Sequence, residues 1–449
     1  MNELLNISPI DGRYHEKTKE LSDYFSEYAL IKYRTIVEIK WLLYLLDKEI
    51  IDEKVNKDEK EKLLNIVNNF NLDDATKVKE IESSTKHDVK AIEYFLQEKF
   101  KELDLSRLIP FIHITLTSED VNNTSYNLMI KDGLKVYLDN LNNLLSKLDE
   151  LSNNYKETPM LGHTHGQNAS PTTVGKEIKV FSYRIKSIIE LINKLKLRSK
   201  FSGAVGNYNC HVVAYPEVDW ISETKTFINS LDLDYNPLTT QIESHDILCA
   251  LLSYIKIINN IIKDLNSDMW LYISRGYFFE KKKDNEVGSS VMPHKVNPIN
   301  HENSMANTEI SNGLIDALVN NLSISRMQRD LSDSSKLRNI GVIFSHSLIS
   351  IKETITGLNK IVVNEEYLKD ELNNHYEVLT EAIQTVLRKN KIDNAYEQLK
   401  KLSRGKELNK EELQEFINNL PISNEDKERL LNLEPSNYIG LCKDIVNNN

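Results

Sequence analysis

The chain has 449 residues, more than the roughly 250–300 at which a single hydrophobic core stops growing, so two or three domains are expected. Apolar residues make up 40% of it, enough for sizeable cores, and its formal net charge is −11, which argues against nonspecific nucleic-acid binding. If the ligand is an anion, its positive partners must therefore be gathered locally.

The three cysteines, Cys210, Cys249 and Cys442, show neither paired nor metal-type spacing and read as reduced thiols of a cytoplasmic protein. Met1-Asn2-Glu3-Leu4-Leu5 lacks a basic region followed by an apolar run, so no signal peptide is expected. No apolar stretch approaches the roughly 18–20 residues that a membrane span needs.

Ser8-Pro9-Ile10-Asp11-Gly12-Arg13-Tyr14 reads as a turn cluster, and alone Arg13 would be a solvated surface arginine. Helical sequence follows, with Tyr33, Val37, Trp41 and Tyr44 near helical spacing, then Leu63 to Phe70. Ser83-Ser84-Thr85-Lys86-His87-Asp88 places Ser or Thr to cap a helix carrying Ile92 to Phe95. His87, beside Lys86 and a helix N-terminus, is well placed to meet an anion. Thr115-Leu116-Thr117-Ser118-Glu119-Asp120 reads as the cap of a long helix. Its apolar residues Leu134, Leu138, Leu141, Leu145 and Leu148 step by 4, 3, 4, 3. Val174 to Leu195 and Ile247 to Leu265 repeat that seam after a break at Pro159, which predicts bundle packing. Asn303 to Leu322 and Leu337 to Leu358 add two further helices. Strand signals are thin, with a short extended piece expected within 201–213, and Gly203-Ala204-Val205-Gly206 reads as a turn rather than a dinucleotide fingerprint. After about Val363 the helices become shorter and more charged. The expected fold is all-α, with helical domains at 1–111, 112–362 and 363–449, the middle one a long-helix bundle. Seams this long and apolar point to association through the bundle.

Four segments carry chemistry. His163-Thr164-His165-Gly166-Gln167 sits in the break between the first two long helices; no Cys or carboxylate accompanies the His-x-His at ligand-like spacing, so no metal is expected. Gln241 lies in Thr239-Thr240-Gln241-Ile242-Glu243-Ser244-His245-Asp246, where Ser244 reads as a polar cap of the third long helix. Arg326, Arg329 and Arg338 lie among opposite charges, either as a salt-bridged surface or, with Ser334, as donors suited to a phosphate. The fourth is Gly288-Ser289-Ser290-Val291-Met292-Pro293-His294-Lys295-Val296-Asn297-Pro298, whose prolines exclude a helix or a paired strand.

That last order of residues resembles the signature loop of the fumarase/aspartase superfamily, whose members eliminate fumarate from succinyl-type substrates. With Ser-Pro-x-Asp-Gly-Arg-Tyr, His-Asp-Val-Lys-Ala, Thr-Ser-Glu-Asp, Thr-His-Gly-Gln, Gly-Ala-Val-Gly-Asn-Tyr-Asn and Gln-Arg-Asp-Leu-Ser-Asp-Ser, the chain resembles the bacterial-type adenylosuccinate lyase family from Ser8 to Gly440. The resemblance implies an all-α fold of three domains, tetrameric through its long helices, with active sites shared between subunits. It implies Ser289 as the base and His165 as the acid, with Ser290 the rival base. Lys295 and Asn297 would hold a substrate carboxylate. Arg13, Tyr14, Lys86, His87, Asp88, Thr117, Ser118 and Gln241 would contact substrate, with Arg329, Ser334 and Arg338 toward a phosphate. Lys86 departs from the asparagine frequent in relatives, and His163 stands where relatives often carry arginine. The implied substrates are adenylosuccinate, giving AMP and fumarate, and the succinylated carboxamide ribotide SAICAR, giving AICAR, with no cofactor required. An argininosuccinate lyase or aspartase would share the loop but not the apparent phosphate segment; a non-catalytic relative would not need Ser289, His165 and Lys295 together.

Overall fold

The computed structural model describes residues 3–281, 296–403 and 408–449, and these are mostly helical. Ser289, Ser290 and Lys295 lie outside the described residues. The expected long helices are Ser118–Asn154, Val174–Asn193, Asp246–Ser274, Ile299–Val319 and Ile340–Leu358. The seam residues Leu141, Leu145, Leu148, Ile178, Ile185, Leu251, Ile258 and Leu265 are buried. No described helix is long and apolar enough to cross a membrane.

The chain divides into two compact units. The first comprises Met1–Leu141, Ile188–Asn260 and Ala306–Ser350. Its core includes an aromatic knot in which Trp41 meets the Phe201 and Phe227 rings edge-on at 4.9 Å each. The Trp41 indole N–H donates to the Ile114 carbonyl at 3.1 Å, so the buried ring has its polar edge satisfied. Elsewhere in this unit Phe25 stacks on Phe344 at 5.0 Å, and a Cβ on Gly341 would lie 2.5 Å from the Phe25 Cβ. That close approach requires the glycine. Gly341→Ala is expected to destabilise this unit by about 1–3 kcal/mol through overpacking, read as a lower urea midpoint.

The second unit comprises Asn142–Ser187, Ile261–Met305 and Ile351–Asn449. Its short helices, among them Thr380–Lys389, Lys410–Asn418 and Asn424–Leu431, close an aliphatic core. Leu379, Ile383, Leu387, Leu413, Ile417 and Leu430 pack there around Leu161. Leu161 comes from an antiparallel hairpin, Pro159–Thr164 with Gln167–Thr173. The sequence reading has only a break there. The extended piece expected within 201–213 is not formed: Arg198–Ser199 pairs in parallel with Asp234–Tyr235, and Asn209–Ala214 is a helix.

Candidate active site

In the first unit the site grows from the start of the Ser118–Asn154 helix. Asp120 Oδ2 accepts from the Thr117 amide at 2.9 Å, which fixes the first turn. The same carboxylate takes the Ser202 amide at 3.0 Å and the Gly203 amide at 3.2 Å. It also pairs with the Lys200 ammonium at 2.7 Å, with neither side chain exposed to solvent. Two glycines make the following turn possible. Gly203 and Gly206 have φ of +81° and +83°, and a Cβ on Gly206 would lie 2.3 Å from the Thr239 carbonyl oxygen. The turn offers its Ala204 carbonyl to Gln241 Nε2 at 2.7 Å. Gln241 Oε1 in turn accepts from Arg329 Nη1 at 3.0 Å, and Arg329 Nη2 lies 3.5 Å from Glu119 Oε2. Thr117, Ser118, Gln241 and Arg329 are thereby brought to one place.

Behind Arg329 lies a cluster the sequence reading did not single out. Glu119, His245 and Asp333 are 2%, 4% and 5% exposed, and one ligand-type atom from each lies within 4.8 Å of the others. Burial pushes the Glu119 carboxyl up to about 7, against the opposing charge of Arg329. Burial resists charge on His245, but the carboxylates of Asp333, Glu243 and Glu119 outweigh it and raise the imidazole. Burial likewise opposes charge on Asp333, yet His245, the Ser334 amide and Arg329 hold its carboxyl below the usual range. The Ser334 amide donates to Asp333 Oδ1 at 2.7 Å, which places the expected phosphate donor beside the cluster. These residues fall inside the segments Thr-Ser-Glu-Asp, Glu-Ser-His-Asp and Leu-Ser-Asp-Ser, which are the local signal that points to them; their burial comes only from the fold. Ser244, expected to cap, instead donates to the Asp246 carboxylate at 2.8 Å.

A second group of charges surrounds Asp88. Lys86 ends the Leu72–Thr85 helix in the left-handed region, φ 56°, with its amide on the Glu82 carbonyl. The next helix is capped by His87, whose Nδ1 accepts from the Lys90 amide at 3.1 Å. This corrects the expected Ser or Thr cap: the left-handed Lys86 ends one helix first, so the capping position falls on His87. With Nδ1 accepting, the neutral ring carries its proton on Nε2. Asp88 Oδ2 binds Arg34 Nη2 at 2.7 Å and Arg338 Nη2 at 3.3 Å, while Arg338 Nη1 reaches Glu27 at 2.7 Å. Burial raises the Asp88 carboxyl, but Arg34, the Val89 amide and Arg338 outweigh it and hold it low. Asp88 is thus occupied by two arginines and holds Arg338 in place. Arg34 also donates through Nε to Asn122 at 2.8 Å, one turn beyond Glu119. Ser8, Asp11 and His15 line a cleft of about 320 Å³ with Glu27, Arg338 and Ser345. The exposed Arg13 lies 6.0 Å from the Tyr14 ring centre on that same N-terminal segment.

The second unit holds His165 and Asn297. His165 is exposed at the hairpin tip, φ 53°, ahead of Gly166 at φ 72°. His163, two residues earlier, faces Arg275, whose Nη1 lies 2.8 Å from its Nε2. A guanidinium can only donate, so His163 accepts there and is neutral, and burial with the arginine charge lowers its pKa. Asn297 is half-buried just before the Ile299–Val319 helix, its carbonyl taking the Ile299 amide at 2.8 Å.

Comparison with known proteins matches residues 12–310 to a family described as lyase and residues 325–439 to one described as adenylosuccinate lyase C-terminal. An adenylosuccinate lyase of Buchnera aphidicola subsp. Schizaphis graminum is 47% identical over 451 residues, covering 99% of both chains. That of Legionella pneumophila strain Philadelphia 1 is 47% identical over 444 residues, 98% of this chain and 97% of the relative. The Escherichia coli K12 enzyme is 44% identical over 444 residues with the same coverage. Among solved structures, a fumarate lyase from Mesorhizobium sp. BNC1 superposes with a TM-score of 0.76 at 18% identity, covering 96% of this chain and 97% of that one. The 3-carboxy-cis,cis-muconate lactonizing enzyme of Pseudomonas putida gives 0.74 at 18% identity, covering 96% of both. At that identity these two show the fold.

Proposed function

The chain belongs to the adenylosuccinate lyase family, and from that premise we propose that it eliminates fumarate from adenylosuccinate to leave AMP, and from SAICAR to leave AICAR. The observation that carries the substrate reading is a pair of arginines set in place within the first unit, Arg329 held by Gln241 at the Ser118 helix start and Arg338 by Asp88 and Glu27. Guanidinium forks and the Ser334 hydroxyl suit a phosphate. Gathering them locally answers the anionic net charge. The family match over 325–439 favours this reading over argininosuccinate lyase or aspartase.

The chemistry is an anti β-elimination. A base removes a proton from the carbon beside a carboxylate, charge spreads into that carboxylate, and an acid protonates the departing nitrogen. We assign the base to Ser289, a hydroxyl that needs activation by its surroundings, and the acid to His165, an imidazole suited to neutral pH. Lys295 and Asn297 would stabilise the charge gathering on the carboxylate. No step calls for a metal or organic cofactor.

The working unit in this reading is a cytoplasmic homotetramer with composite active sites. Exposed apolar residues on the long helices support association: Tyr183 and Leu191, Ile257 and Trp270, Ile299 and Ile310. Mixing Ser289→Ala and His165→Ala proteins is expected to restore some activity; none despite confirmed subunit exchange would count against shared sites.

The substrate reading is tested by ligand affinity. Arg329→Ala and Arg338→Ala should each weaken AMP binding by about 1.5–3 kcal/mol, the worth of a charge-assisted hydrogen bond, and leave adenosine binding nearly unchanged. Equal losses for AMP and adenosine would mean that these arginines do not read the phosphate.

A further inference from the structure

Three buried polar atoms have no hydrogen-bond partner among the described residues: Glu119 Oε1, and His245 Nε2 and Asp333 Oδ2, which lie 3.9 Å apart. They belong to the buried cluster behind Arg329, and Glu119 is the only member of the cluster that reaches this arginine, Oε2 to Nη2 at 3.5 Å. Arg329 is thus held from two sides, by the Gln241 amide oxygen and by the Glu119 carboxylate. We propose that Glu119 is a positioning residue for Arg329, and that it exchanges its ion pair with this arginine for a proton when the substrate's phosphate arrives. The inference rests on the phosphate reading of Arg329.

The physical argument is electrostatic. The charges facing Glu119 are Arg329 from the segment before the Ser332–Leu337 helix, Asp333 from that helix, His245 from the turn before Asp246, and Lys200 from the loop after Arg198–Ser199. Glu243 faces the same histidine, its Oε2 accepting the His245 amide at 2.7 Å. In the free protein the Arg329 charge is the strongest influence favouring an ionised Glu119, against burial and the Asp333 carboxylate. A bound phosphate dianion spends that guanidinium on its own oxygens. Glu119 is then a buried carboxylate beside Asp333 with its main counter-charge neutralised, and protonation removes the excess charge. The proton comes from solvent, and no bond other than O–H forms. Because the free carboxyl titrates near neutrality, the exchange falls in the working pH range.

The sign follows from linkage. An ionised Glu119 competes with phosphate for Arg329, so AMP affinity should fall as pH rises above neutrality, approaching tenfold per pH unit if one full proton is taken up. The phosphate's own ionisation near pH 6 acts in the opposite direction and cancels when wild type is compared with Glu119→Gln, which is permanently neutral. The experiment measures AMP and adenosine affinity from pH 6 to 9 for both proteins. The expected wild-type to variant ratio falls with pH for AMP and stays level for adenosine. Infrared difference spectra of the wild type, which need no variant, should show a protonated-carboxyl band appearing with AMP and not with adenosine. A level AMP ratio, or no such band, overturns the exchange while tighter binding of AMP than adenosine leaves the phosphate reading standing. Equal affinity for AMP and adenosine sinks both. A stoichiometric divalent cation in the purified protein would also overturn it, since the three atoms would then be ligands.

Discussion

Ser289→Ala is expected to abolish turnover while substrate binding persists, and His165→Ala to slow the chemical step by about 10²–10⁴-fold, the range for a lost general acid or base. The two losses should differ in kind. A substrate analogue with a better leaving group needs less help from an acid, so it should restore rate to His165→Ala and not to Ser289→Ala. Ser290→Ala should keep much more activity than Ser289→Ala. The exposed His165, set in a left-handed hairpin tip ahead of Gly166, has an imidazole free to approach a leaving group. Rescue of Ser289→Ala by the analogue, or a dead Ser290→Ala, would reverse the roles assigned.

The largest stability effect is expected at the buried pair of Lys200 and Asp120 in the first unit. Lys200→Met should cost about 3–5 kcal/mol, because it leaves Asp120 as a buried charge without its counter-ion. Both side chains are fully buried and 2.7 Å apart. The carboxylate cannot move to water, since it also holds the Thr117, Ser202 and Gly203 amides. A surface pair makes the contrast: Lys57 and Glu61 are 93% and 62% exposed, and removing Lys57 should cost only about 0.3–0.5 kcal/mol. Hydrogen exchange at the Ser202 and Gly203 amides, with the urea midpoint, reads the Lys200 effect locally. Unchanged exchange there would mean that the pair does not hold the turn carrying Ala204 to Gln241.

Three of the long helices were legible because a seam repeating every 3.5 residues is a local pattern, and Leu141, Leu145, Leu148, Ile258 and Leu265 are buried as that pattern requires. The hairpin at Pro159–Thr173 was not, because its strands carry Pro171, Gly162 and a run of hydroxyls instead of alternating apolar residues. What makes it a hairpin is a close backbone approach: a Cβ on Gly162 would lie 2.4 Å from the Ser170 carbonyl oxygen. On the candidate site, motifs pointed to Arg329, Ser334 and Arg338 but not to what holds them. Arg34 has its partner 54 residues away at Asp88, and its one local sign was a charge on the buried face that also carries Leu30, Val37 and Trp41. Lys200 likewise reads as an ordinary basic residue until the fold sets it against Asp120.

The central claim is tested most directly by incubating the purified wild-type chain separately with adenylosuccinate, argininosuccinate and aspartate, following fumarate and the second product of each. The account predicts fumarate and AMP in equal amounts from adenylosuccinate, and no turnover of the other two. Fumarate from argininosuccinate or aspartate in place of adenylosuccinate, or none from any of the three, would contradict it.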